Sequence, residues 1–299
     1  MEQGTGALLQ ALWEAAQRGH ADLVSAHLKT LTDAGAFNFD HVKAGVEAAC
    51  DVAIRNDWIQ VVQVFVQRHP QYPASFDIGR KLAEAVRLEC TSVVECLAQA
   101  KADVNERYKQ AAPIHRAVCA SLVAALVRLN ASVNARDRYS SSPLHRIIYK
   151  PEHTIPPRRL ALLCRTLIAA RADVNARGFQ RATPLLCSVK GRCWAAVRVL
   201  AQANGDVNAT DGCGFTPLQH AACTWYDRDS WDVCLSDKQY DCRRQFIVRT
   251  LIEYKADLNA TLIEKKADFD ARDASSWTAF DFAVQSGCRP DIADMLAPR

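Results

Sequence analysis

The chain has 299 residues, 49% of them apolar and 23% charged, which is enough material for one or two buried cores and unlike a disordered polymer. Its 37 Lys and Arg against 33 Asp and Glu leave a net charge of +4, which argues against a dedicated nucleic-acid binder. Twelve cysteines run from Cys50 to Cys288 without a C-x-x-C pair, a pattern of reduced thiols rather than of a disulfide framework.

The first residues have neither a basic start nor a long apolar run, so we expect no secretory leader, and Glu2 excludes the myristoylation motif. No stretch approaches the roughly 18 consecutive apolar residues of a membrane span, and we expect a protein of the cytoplasm or nucleus. Ala15 to Val24 (AAQRGHADLV) reads as the junction of two helices, and Ala53 to Val62 and Ala85 to Val94 are worn versions of it. From residue 102 a phrase recurs, ending at Asn105, Asn134, Asn175, Asn208 and Asn259 (ADVN, ASVN, ADVN, GDVN, ADLN), with a weaker copy at Ala267 to Asp270. A second phrase follows it, opening at Ala112, Ser142, Thr183, Thr216 and Thr278 (APIH, SPLH, TPLL, TPLQ, TAFD). Pro at the first helical position loses no hydrogen bond, and Ser or Thr before it can cap the helix. Val94, Val123, Cys164, Val197 and Val248, with Leu97, Leu126, Leu167, Leu200 and Leu251 three residues on, mark the buried stripe of each following helix.

These phrases resemble the ankyrin-repeat family, whose repeat of about 33 residues carries T-P-L-H-x-A at a helix start. The interval from Asn175 to Asn208 is 33 residues. The resemblance implies an all-α solenoid of stacked helix-turn-helix units with β-turn fingers, in which the helix-start His115 and His145 stiffen turns. It divides the chain into about three degenerate repeats over 1–100, four clear repeats over 101–270 and a capping repeat over 271–299.

The chain departs from the family in its inter-Asn intervals of 29, 41, 33 and 51 residues, because length changes between the two helices of a repeat. Insertions at 149–158, with a Pro-Pro pair, and at 224–244 account for the long intervals. Thr250 to Ala260 is nearly repeated at Thr261 to Ala271, an 11-residue tandem duplication.

The resemblance implies binding of another protein through fingers and adjacent first helices. The finger residues are Arg107, Tyr108 and Lys109; Arg136, Arg138 and Tyr139; Arg177, Phe179 and Arg181; Asp211 and Phe215; and Arg272 and Trp277. Arg beside an aromatic in three successive fingers suits a partner with acidic segments. Trp225, Tyr226 and Trp231 in the longer insertion are candidates for a second surface. No catalytic, cofactor or metal constellation stands out: the nucleotide, esterase and zinc-protease motifs are absent, and the cysteine spacings do not match zinc sites. Two alternatives carry less support, a nucleic-acid or anionic-surface binder, and an enzyme using Asp227, Asp229, Asp232 and Cys234 of the insertion.

Overall fold

The structure, a computed structural model, describes residues 2–68, 77–149, 155–222 and 237–256. The chain forms two compact units, Met1–Ala135 and Arg136–Arg299. The first holds α1 (Glu2–Arg18), α2 (Ala21–Asp33), α3 (Asp40–Arg55), α4 (Ile59–Gln67), α5 (Ile78–Arg87), α6 (Thr91–Gln99) and α7 (Ala120–Arg128). The second holds α8 (Pro143–Ile148), α9 (Pro157–Ala169), α10 (Pro184–Lys190), α11 (Trp194–Gln202), α12 (Pro217–Ala222) and α13 (Asp237–Glu253). No β-strand occurs among the described residues, in line with the all-α expectation.

Two turns recur, and the sequence explains both. Between paired helices, the N–H of His20, Trp58, Cys90 and Cys193 reaches back five residues to the carbonyls of Ala15, Ala53, Ala85 and Ser188 at 3.0, 3.0, 3.0 and 2.8 Å. The residue before each donor, Gly19, Asp57, Glu89 or Arg192, takes a left-handed conformation. Gly19 is required for a second reason, since a Cβ there would lie 2.7 Å from the Trp58 indole.

The other turn closes each second helix. The N–H of Ala102, Ala131, Ala172, Gly205 and Ala256 bonds the carbonyl of Leu97, Leu126, Leu167, Leu200 and Leu251 at 3.1, 2.9, 2.9, 2.8 and 3.0 Å. Lys101, Asn130, Arg171, Asn204 and Lys255 supply the left-handed residue. The same five leucines are fully buried, so one side chain both ends the helix and fills the core. Burying each contributes about 1.5–3 kcal/mol. Val94, Val123, Cys164 and Val197 are buried beside them, while Val248 is half-buried.

The irregular intervals have local causes. The short one, from Asn105 to Asn134, spends its first helix as a single 3₁₀ turn, Pro113–His115, where the 33-residue repeat has α10. Within the 149–158 insertion the proline pair opens a helix, with Pro156 as N-cap of α9. Of the longer insertion, residues 237–244 extend α13 at its N-terminal end, while 224–236, with Trp225, Tyr226 and Trp231, lie outside the described residues. The second copy of the duplication, the 271–299 cap, Arg272 and Trp277 lie outside them too.

One core feature of the first unit has no signature in the repeat. Lys81 on α5 is 1% exposed and donates to Asp51 Oδ1 at 2.6 Å and to the Glu47 carbonyl at 3.1 Å, both on α3. The burial that makes this pair expensive also pushes the neighbouring Cys50 thiol up to about 12.

Candidate functional site

The recurring Asn is a stitch between repeats. Asn175 donates from Nδ2 to the Asn204 carbonyl at 3.2 Å and accepts from the Asp206 N–H at 2.7 Å. Asn105 does the same in the first unit, to the Asn130 carbonyl at 3.1 Å and from the Ser132 N–H at 2.7 Å. Each side chain satisfies a carbonyl and an N–H that the next helix end would leave open.

Three loops follow in the second unit. In the first, Asp137 is buried and its Oδ1 accepts from the N–H of Tyr139 at 2.8 Å and of Ser141 at 2.9 Å. Arg146 Nε lies 3.5 Å from the other oxygen. Asp211 repeats the arrangement in the third loop, accepting from Cys213 and Phe215 N–H at 2.9 and 3.0 Å and meeting Lys190 Nζ at 2.8 Å and His220 Nε2 at 2.9 Å. Burial pushes the Asp211 carboxyl up, but the Lys190, His220 and backbone hydrogen bonds outweigh it and hold the group below the ordinary carboxylate range. Four donors fill the lone-pair capacity of one carboxylate, so Asp211 holds its loop rather than waiting for a substrate. Between these loops the equivalent residue is Gly178, where a Cβ would stand 2.9 Å from the His145 ring.

His145 is fully buried. The Ser142 N–H donates to its Nδ1 at 3.2 Å, so Nε2 carries the proton and donates to the Ala182 carbonyl at 3.0 Å. Burial pushes its pKa below the ordinary value. His115 likewise spans two carbonyls, Ala112 at 3.3 Å and Ala135 at 3.1 Å.

Two of the arginines expected to face a partner are used internally. Arg136 Nη1 donates to the Ser140 carbonyl of its own loop at 2.8 Å and to the Arg177 carbonyl of the next at 2.7 Å. Arg177 Nη1 repeats the move, to the Arg181 carbonyl at 3.0 Å and to that of Thr210. The ladder stops at Thr210, which takes the same place in the third loop, and there Gly212 N–H bonds the Gln180 carbonyl at 2.6 Å instead. Arg136 and Arg177 therefore clamp loop to loop.

What the clamps leave on the surface is aromatic. Tyr139, Phe179 and Phe215 are 44%, 54% and 41% exposed, one on each loop. Tyr139 and Phe179 meet edge to face at 6.4 Å, and the Arg138 guanidinium lies 4.4 Å over the Tyr139 ring. Arg181 is exposed beside Phe179. In the first unit Arg107 and Lys109 are exposed, whereas Tyr108 is half-buried under Arg116, which lies 5.6 Å over its ring.

The Asp137 and Asp211 networks went unread in the sequence. The available signal was an acid three residues after the recurring Asn and an Arg or His four after the capping Ser or Thr, which pairs Asp137 with Arg146 and Asp211 with His220. No group of His, Cys, Asp and Glu able to hold a metal occurs among the described residues. Cys164 and Cys187 are buried, with thiols pushed up by burial to about 12 and about 11.

Among known protein families, ankyrin repeats (many copies) match residues 243–297. No curated protein matches the chain. Within the matched stretch, α13 ends on the same leucine carbonyl turn that ends α6, α7, α9 and α11. The family match lies at one end of the sequence, and one phrase and one turn repeated through the rest carry the likeness to ankyrin repeats along the chain.

Proposed function

We propose that the protein is a binding module, an adaptor, scaffold or inhibitor subunit of the cytoplasm or nucleus, that takes an acidic and apolar segment of another protein on its finger loops. Ankyrin repeats are in general protein-interaction modules, and no described helix is long and apolar enough to cross a membrane. The observation that carries the reading is the row Tyr139, Phe179 and Phe215, exposed on successive loops whose backbones Arg136 and Arg177 tie together. Exposed aromatics on a preformed backbone bind without the cost of ordering a loop. Arg138 and Arg181 flank the row and supply the charge for carboxylates, while Arg136 and Arg177 hold the geometry. In this reading the loops are ankyrin fingers, and helix pairs stack as repeats within each unit. The division into degenerate repeats over 1–100, four repeats over 101–270 and a cap over 271–299 belongs to the same proposal, as does a contact role for Arg107, Tyr108, Lys109, Trp225, Tyr226, Trp231 and Trp277.

Panning short random displayed peptides against the full chain tests it. Enriched peptides should combine Asp or Glu with apolar residues, and their synthetic forms should bind about tenfold more weakly to Tyr139→Ala with Phe179→Ala, and to Arg138→Glu. Enrichment of basic peptides, or affinity indifferent to these changes, would sink the finger site.

A further inference from the structure

A second surface emerges when charge is followed along the chain. Between residues 136 and 222 there are thirteen Lys and Arg against five Asp and Glu, although the whole chain carries only +4. Helices α9 and α11 hold four arginines and no acid. The excess is ordered: Arg165, Arg198 and Arg249 are separated by 33 and 51 residues, the same intervals that separate Asn175, Asn208 and Asn259. Each stands two residues before a leucine that closes its helix, Leu167, Leu200 or Leu251, so the three share one register on α9, α11 and α13. All three are exposed, and α11 packs against both α9 and α13. Arg249 has an exposed i,i+4 pairing with Glu253 at 3.0 Å, which competes weakly with an incoming carboxylate. In the first unit the same register holds Glu95 and Ala124, so the row is confined to the second unit.

We propose that this solvent face of α9, α11 and α13 docks an acidic α-helix of a partner protein, with carboxylates recurring every seventh residue. Packed helices lie roughly 8–10 Å apart, which sets the rung spacing of the arginines. Seven residues of an α-helix rise about 10.5 Å, so Asp or Glu at i, i+7 and i+14 meets successive rungs. Arginine suits carboxylate through its bidentate fork. Leu162, 54% exposed on α9 between Arg158 and Arg165, favours a helix over a phosphate backbone, because an apolar side chain gives phosphate nothing to bind. The surface is separate from the finger loops, and the two readings stand or fall apart.

The probe is a labelled helical peptide with three Glu at seven-residue spacing, compared by fluorescence anisotropy with a peptide of equal composition whose Glu are scattered round the helix, and with duplex DNA, all on the full chain. The spaced peptide should bind about tenfold more tightly than the scattered one, and lose about tenfold on Arg165→Ala with Arg198→Ala. Tyr139→Ala with Phe179→Ala should leave it unchanged, which separates this surface from the finger site. Helical ellipticity verifies that the variant folds, and Arg165→Gln with Arg198→Gln stands in if it does not. Equal binding of both peptides, indifference to the arginine pair, or tighter binding of DNA through the same arginines would each overturn the proposal.

Discussion

Ala112–His115 and Ser142–His145 carry nearly the same phrase and end differently. At Ser142 the hydroxyl accepts from the backbone while the His145 ring accepts from the Ser142 N–H, a capping box that opens the six-residue α8. Ala112 has no hydroxyl, and Pro113–His115 stays a 3₁₀ turn although His115 still reaches two carbonyls. The other copies divide the same labour. Thr183 caps α10 with Leu186 where the histidine would be, and Thr216 trades hydrogen bonds with Gln219, whose Oε1 stands in for the imidazole nitrogen at 3.0 Å. The hydroxyl decides whether a helix starts; the histidine ties that start to the next loop.

The largest effect should come from breaking the second role. His145→Ala leaves the buried Ser142 N–H without its acceptor and the Ala182 carbonyl with the Gly178 N–H alone, and empties the space of a fully buried ring, at a cost of about 2–4 kcal/mol in urea unfolding followed by ellipticity. His145→Gln, copying Gln219, should recover part of that by accepting from Ser142. A loss no larger than a surface substitution would mean that the imidazole does not carry the junction.

The same residue sets a pH dependence. Burial holds the His145 pKa below its ordinary 6.5, and the His220 pKa is lowered too, again chiefly by burial. The unfolded chain then binds more protons than the folded one between the two values. This stability is complete above about pH 6.5 and is lost as pH falls through the folded pKa. Unfolding midpoints measured downward from neutral pH should fall, and His145→Gln should flatten the slope. A profile as steep in that variant would place the proton uptake elsewhere.

Exchanging the caps sharpens the first role. Ser142→Ala should cost about 1 kcal/mol, and Ala112→Ser should recover a similar amount if the 3₁₀ turn is limited by its missing cap. Unchanged stability for Ala112→Ser would show that the four residues absent from the 29-residue interval, not the cap, keep that helix short.

What could be read in the sequence follows from this division. Positions that recur in every copy, such as the Leu97 to Leu251 series and the Asn stitches, announce themselves because the same turn is rebuilt each time. The cross-links do not. Arg136 and Arg177 look like free loop arginines because their acceptors are backbone carbonyls, which leave no trace in residue identity. Lys190 and Asp211 stand 21 residues apart in different repeats, and neither belongs to the recurring phrase. Lys81 lies in the stretch where the phrase has worn away, so no template marks it as buried. The exposed aromatics Tyr139, Phe179 and Phe215 were legible as loop residues, but their spacing and the edge-to-face contact depend on the clamps beneath them.

Helix ends allow the converse and smallest test, since there the turn is constant and the residue varies. Lys101 and Asn130 both take left-handed backbone, at φ 65° and 63°, and both precede the alanine whose N–H closes on the leucine carbonyl. A lysine Cβ strains this conformation, whereas asparagine tolerates it. Glycine relieves the strain but adds freedom to the unfolded chain, so the two terms partly offset each other. Lys101→Gly should therefore gain about 0.5 kcal/mol, and Asn130→Gly close to nothing. Precise chemical unfolding of both variants decides it: equal gains would mean that the turn itself, rather than the side chain forced into it, sets the cost of ending a helix here.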